Sequence, residues 1–183
     1  YCREKGLMSG TSDTAFSPEA PLTRAMLATV LHRMSGTPTV ADAPAFTDVA
    51  AGAWYSDAVA WAAKTGIISG YGGGTFGVNN PTTREQAVAI LWRYAGRPES
   101  TAAANISDIS AVSSWAQTAV RWAEANGILD GMTENCRFEP KANIHRGEVA
   151  SMLYHYLNSS ASSQPEPAAG KILVAYFSAT GNT

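Results

Sequence analysis

Charge is scarce in this chain of 183 residues: 13 Lys and Arg stand against 15 Asp and Glu, 15% of the sequence, for a formal net charge of -2. A nucleic-acid binder working through phosphate contacts would carry a basic stripe, so that class is excluded. Cysteine is scarcer still. Cys2 and Cys136 form no CxxC pair and lie near no group of histidines, which removes the usual sequence basis for a redox motif or a thiolate metal site. His32, His145 and His155 share no ligand spacing either. No apolar run reaches the roughly eighteen residues of a membrane helix, and no basic-then-apolar leader opens the chain. No nucleophile–base pair recurs, so the chain itself is not expected to be an enzyme. Apolar residues are plentiful, at 45%, and sustain a packed core.

Repetition is what the chain has in abundance. Gly6-Leu-Met-Ser-Gly10, Gly66-Ile-Ile-Ser-Gly70 and Gly127-Ile-Leu-Asp-Gly131 align, and each is followed by an aromatic: Phe16, Phe76 and Phe138. An arginine stands at one further shared position, as Arg24, Arg84 and Arg146. The small length differences fall in loops, where true structural repeats absorb them. The repeats run over 1–40, 41–100 and 101–158. The first opens inside a helical pattern and is expected to lack its lead-in and most of its first helix.

Two helices are predicted per repeat. In the third, Ser114-Trp-Ala-Gln117 has the spacing of a capping box, and Gly127 suits the left-handed position that ends a helix. In the second, Ser56 or Asp57 would cap and Gly66 would stop. The second helix of each repeat begins at the arginine. Its apolar residues recur at i, i+3, i+4 and i+7: Leu27, Val30, Leu31, Met34; then Ala87, Ile90, Leu91, Tyr94; then Val149, Met152, Leu153, Tyr156. Three equivalent stripes bury best against one another, so the fold expected is mainly α, a pseudo-threefold bundle of three tandem helix-loop-helix repeats. Short strand-like or extended lead-ins, Phe46-Thr-Asp48-Val49 and Ile106-Ser-Asp108-Ile109, precede the complete repeats. Trp61 and Trp122 read as core. For Trp54 and Trp115, packing and ligand contact weigh equally. Asp48 and Asp108 fit either a turn cap or a ligand contact.

The order Phe46-Thr-Asp48-Val49, Trp54, Ala58-Val59, Gly66-Ile67-Ile68-Ser69-Gly70-Tyr71, Gly74-Thr75-Phe76 and Thr83-Arg84-Glu85-Gln86 closely resembles the S-layer homology domain. The likeness covers about residues 1–157, looser in the third repeat and confined to the second half of the first. What it implies is attachment to a Gram-positive-type cell envelope, through a secondary cell-wall polymer that typically bears pyruvylated amino sugars. The family's Thr-Arg-Ala-Glu motif is similar to Thr23-Arg24-Ala25-Met26, Thr83-Arg84-Glu85-Gln86 and His145-Arg146-Gly147-Glu148, each keeping the Arg and none the whole motif. At a helix start such an Arg would point outward at the positive dipole end and hold a ligand carboxylate with its planar fork. Family-like grooves would join Arg24 with Asp48 and Trp54, and Arg84 with Asp108 and Trp115. The Arg84 groove is expected to bind best. The Arg146 groove, with His145 a poor cap and its lead-in missing, is expected to be defective.

After Leu157 the composition turns to a Ser- and Pro-rich linker over 159–170. Lys171-Ile-Leu-Val-Ala-Tyr-Phe177 then reads as a buried strand, leading into Ser178-Ala-Thr-Gly-Asn-Thr183. This segment resembles the truncated first strand and phosphate loop of an α/β flavodoxin-like domain, with Ala179 departing from the hydroxyl residue common there. The resemblance implies that Ser178, Thr180, Gly181, Asn182 and Thr183 would cradle the phosphate of FMN in the intact parent protein, not in this chain.

Overall fold

The computed structural model describes residues 1–12, 14–41 and 45–159. The expected strand and phosphate loop of 171–183 lie outside the described residues, as does most of the linker. Five α-helices make up the regular structure: α1 (Arg24–Met34), α2 (Ser56–Lys64), α3 (Arg84–Tyr94), α4 (Gln117–Ala125) and α5 (Arg146–Asn158). The predicted stripes are the core. Leu27, Leu31, Ala87, Val149, Met152 and Leu153 are fully buried, and Val30, Ile90, Leu91 and Tyr156 nearly so. Trp61 and Trp122 are buried as expected, and both join an aromatic row through Tyr94 and Tyr156 with centroids 6.2–6.4 Å apart. Burial, seconded by Tyr94, pushes the Tyr156 phenol up to about 12.

The repeats interlock instead of standing side by side. α1 of the first repeat packs on α2 of the second, and α3 of the second packs on α4 of the third. The matching place on α5 is taken by residues 1–8: Cys2, Leu7 and Met8 are buried, the Cys2 thiol donates to the Ala150 carbonyl at 3.6 Å, and Tyr1 stacks edge-on against Tyr154.

A closed ring of backbone hydrogen bonds marks the pseudo-threefold axis. Leu22 N donates to Ile144 O (3.0 Å), Ile144 N to Thr82 O (2.8 Å), and Thr82 N to Leu22 O (3.0 Å). All three residues are fully buried. Thr82 puts a hydroxyl where its counterparts put aliphatic carbon, and Thr82 Oγ1 has no hydrogen-bond partner among the described residues. A buried orphan hydroxyl costs about 1–3 kcal/mol. Thr82→Val should therefore stabilise the protein by about 1 kcal/mol, raising the urea midpoint without changing the slope.

Three local expectations are corrected. Phe46–Val49 and Ile106–Ile109 form turns, not strands, and the described residues pair only through isolated bridges. The Ser114–Gln117 capping box does not form. Ser114 to Ala116 make a 3-10 turn and Gln117 is the first residue of α4, so its side chain donates to Val112 O at 3.4 Å instead. α2 likewise has no side-chain cap, since Ser56 Oγ donates back to Ala53 O at 2.8 Å. Both helices do stop at the expected glycines: Gly66 and Gly127 have φ +71° and +67°, a region where a side chain would be strained.

Candidate functional site

The arginines that begin α1, α3 and α5 do not point into solvent. Arg24 is 5% exposed and Arg146 8%, and the Arg84 side chain 11%. Each reaches into the loop of the next repeat around the ring. Arg24 donates from Nε to Phe76 O (3.0 Å) and from a terminal nitrogen to Ser69 O (2.6 Å). Arg146 makes the same two bonds to Phe16 O (3.0 Å) and Ser9 O (2.5 Å). Arg84 donates to Phe138 O (2.6 Å) and to Met132 O, and pairs with Glu148. Each guanidinium also lies over the ring of the loop Phe, 4.8–5.8 Å from its centroid.

The helix N-termini are spoken for as well. The backbone amides of Arg24, Arg84 and Arg146 donate to Asn80 O, Ala142 O and Ala20 O, at 3.1, 2.9 and 2.9 Å. The next amides donate to Val78 O, Pro140 O and Pro18 O. The dipole ends expected to greet a ligand are thus used to join repeats, because buried orphan amides must find partners. Caps follow the sequence reading in part. Gln86 Oε1 accepts from Thr83 N at 3.1 Å, Met26 offers no such acceptor, and Glu148 does cap the amide of His145, at 2.8 Å.

Asp48 and Asp108 hold the loop that each arginine grips. Asp48 accepts from the backbone amides of Phe76 (2.7 Å), Gly77 (2.6 Å) and Val78 (3.3 Å). Those bonds, Phe76 first, hold its carboxyl below the usual carboxylate range. Asp108 accepts from Phe138 (2.9 Å) and Glu139 (2.8 Å) in the same way. Both aspartates are thus turn clasps.

The tryptophans complete a different grouping from the one expected. Trp54 and Trp115 are 63% and 51% exposed, so neither anchors the core. Trp115, from the third repeat, lines a groove of about 210 Å³ with Arg24 of the first repeat and Tyr71, Gln86 and Arg93 of the second. Arg24 therefore meets Trp115, not Trp54, and Arg84 loses the tryptophan expected beside it. Trp54 packs edge-on against Tyr55. The Tyr71 ring lies 4.3 Å from the Arg24 guanidinium carbon.

Arg93 was not singled out from the sequence. It is half-buried in the groove, and no carboxylate stands within ion-pair distance of it among the described residues. Burial first, then the charges of Arg97 and Arg24, lower its pKa from the usual guanidinium value. A signal was present: the same repeat position, on the last turn of each arginine-led helix, carries Arg33, Arg93 and His155.

The groove at Arg84 is larger, about 630 Å³, and differently charged. Glu134 and Glu139 line it with Arg84 and Arg137, and Glu148 pairs with Arg84 itself. No tryptophan lines it. Three arginines around a ring, each gripping the Phe-bearing loop of another repeat, fit one family.

Residues 1–26, 45–88 and 105–150 match the S-layer homology domain. The chain belongs to that family. This S-layer homology module is 33% identical over 159 residues to an amylopullulanase of Thermoanaerobacterium thermosulfurigenes, covering 84% of this chain and 8% of that protein. It is 30% identical to the surface-layer 125 kDa protein of Lysinibacillus sphaericus, over 80% of this chain and 13% of that one. To an S-layer protein of Bacillus thuringiensis subsp. finitimus it is 29% identical, over 84% of this chain and 19% of that one. The chain thus spans less than a fifth of the length of these relatives. Family membership makes it a cell-surface, wall-associated module of Gram-positive-type bacteria. No described helix is long and apolar enough to cross a membrane.

Proposed function

We propose that this module anchors its protein non-covalently by holding a secondary cell-wall polymer in the groove between Arg24, Arg93 and Trp115. The observation that carries this reading is Arg93: a half-buried guanidinium with no carboxylate partner among the described residues, beside an exposed indole. Burying an uncompensated cation is unfavourable, and an anionic substituent would relieve it. Trp115 and Tyr71 offer flat faces for sugar rings, while Arg93 takes the acid group. A pyruvylated amino sugar has both features in one unit. Arg24 lines the groove beside it, its Nε and one terminal nitrogen already committed to Phe76 O and Ser69 O.

This assigns the binding role mainly to the Arg24 groove instead of to the Arg84 groove. There Glu148 already occupies the guanidinium, and neither an Arg93 counterpart nor an indole lines the cavity. The purified chain should sediment with bacterial cell walls and cease to do so once the secondary polymer is extracted. Retention on stripped walls would refute the reading.

The strand-and-loop pattern over 171–183 supports a second role for the intact protein, FMN binding by a flavodoxin-like domain begun at Ser178, Thr180, Gly181, Asn182 and Thr183. A flavin absorbance spectrum of the intact protein tests it, and a colourless, flavin-free preparation would refute it.

A further inference from the structure

We infer that Glu85 is a positioning residue of the polymer groove, setting Trp115 against Arg24 and Arg93 through Ser113. The inference rests on the anchoring role proposed above and concerns a residue that touches no polymer itself.

Glu85 is the second residue of α3 and only 4% exposed. Its carboxylate accepts from Ser113 N at 2.9 Å, from Ser113 Oγ at 3.0 Å and from Lys141 Nζ at 2.5 Å. The Lys141 ammonium also reaches the Ser113 hydroxyl. Packing does not require this group. At the same repeat position the first repeat has Ala25 and the third has Gly147. A buried carboxylate is expensive unless it is fully paired, so its presence at one position of three calls for a local task.

The task lies two residues beyond Ser113. Ser113 precedes the 3-10 turn Ser114–Ala116, which carries Trp115. Glu85 fixes the start of that turn, and Ala116, fully buried, fixes its end. Trp115 is thereby projected from a segment held on both sides. A half-exposed indole on a free loop would lose rotational freedom when a sugar stacks on it, whereas one set in place beforehand has less to lose. The other exposed indole shows the contrast. In the second repeat Gly52 stands in the place of Ser113, the first repeat has Ala25 in the place of Glu85, and Trp54 is the more exposed indole.

The test measures binding of purified secondary wall polymer to the full chain by titration calorimetry. Glu85→Ala should weaken binding about tenfold, while Glu85→Gln, which keeps an acceptor for Ser113, should stay within about twofold. In a Trp115→Ala background, Glu85→Ala should bring no further loss, because its effect passes through the indole. Fluorotryptophan labelling adds a readout independent of ligand: the Trp115 resonance, assigned by its loss in Trp115→Phe, should broaden or move in Glu85→Ala while the other four hold. Ser113→Ala, a milder change, should shift the same resonance if Glu85→Ala folds poorly. Wild-type affinity in Glu85→Ala, or equal losses with and without Trp115, would overturn the positioning role and leave the anchor standing. A wild-type chain that binds no polymer would overturn both.

Discussion

Arg84→Ala is expected to destabilise the module by about 3–5 kcal/mol, the range for removing one partner of a buried ion pair. The residue was expected to be a ligand clamp, whose loss would weaken binding and spare the fold. Its surroundings say otherwise. The guanidinium joins the second repeat to the third through Phe138 O and Met132 O, and it neutralises Glu148, whose side chain is 18% exposed. Truncation leaves two carbonyls and a mostly buried carboxylate without their donor, and opens space against Phe138. Urea unfolding followed by circular dichroism reads the cost as a lower midpoint. Glu148→Gln should cost far less, about 1 kcal/mol, since Gln86 occupies the matching place beside Arg24 and the guanidinium there still holds its two carbonyls. An Arg84→Ala midpoint indistinguishable from wild type would mean that the arginine does not lock the repeats.

The difference between those two readings of Arg84 marks how far the sequence could be read. Helices, stripes and stops were legible because they depend on neighbours a few positions away: the i, i+3, i+4, i+7 spacing of Val149 to Tyr156 buries one face whatever surrounds it. The pseudo-threefold bundle followed from three equal stripes. What each arginine does depends on a loop about fifty residues onward, and the first contact of Arg146 closes the ring back to Ser9. Spacing alone does not reveal that the loop carbonyls arrive at the guanidinium before any ligand. Trp115 was misplaced for a related reason. In sequence it belongs with Arg84 and Asp108, but in the fold the 3-10 turn that carries it faces the neighbouring groove at Arg24, while Asp108 stays with the loop that Arg84 grips. The turn clasps of Asp48 and Asp108 were half-legible, one of two roles that short carboxylates fill near turns. Arg93 was missed because a basic residue in a helix's last turn is ordinarily explained by the helix dipole.

Arg93→Ala should separate binding from stability. A guanidinium-to-carboxylate contact in a partly buried groove contributes about 1.5–3 kcal/mol, so polymer affinity should fall about ten- to a hundredfold. The unliganded fold should not suffer in proportion. Arg93 donates no hydrogen bond and makes no ion pair among the described contacts, and burial with two neighbouring cations, Arg97 and Arg24, disfavours its charge. Removing it relieves that repulsion, and the melting temperature should stay level or rise. Few residues in a core-facing groove lower function while sparing stability, because most side chains there are retained for packing. Lysine is the instructive control: Arg93→Lys keeps the charge but not the planar fork, so it should recover part of the affinity if the polymer's acid group is held by two parallel bonds. Equal affinity of wild type and Arg93→Ala for the polymer would remove the cation from the site and leave Trp115 and Tyr71 as a neutral sugar platform. A joint fall in affinity and melting temperature would instead make Arg93 a structural residue, and the anion would have to be sought elsewhere on the ring.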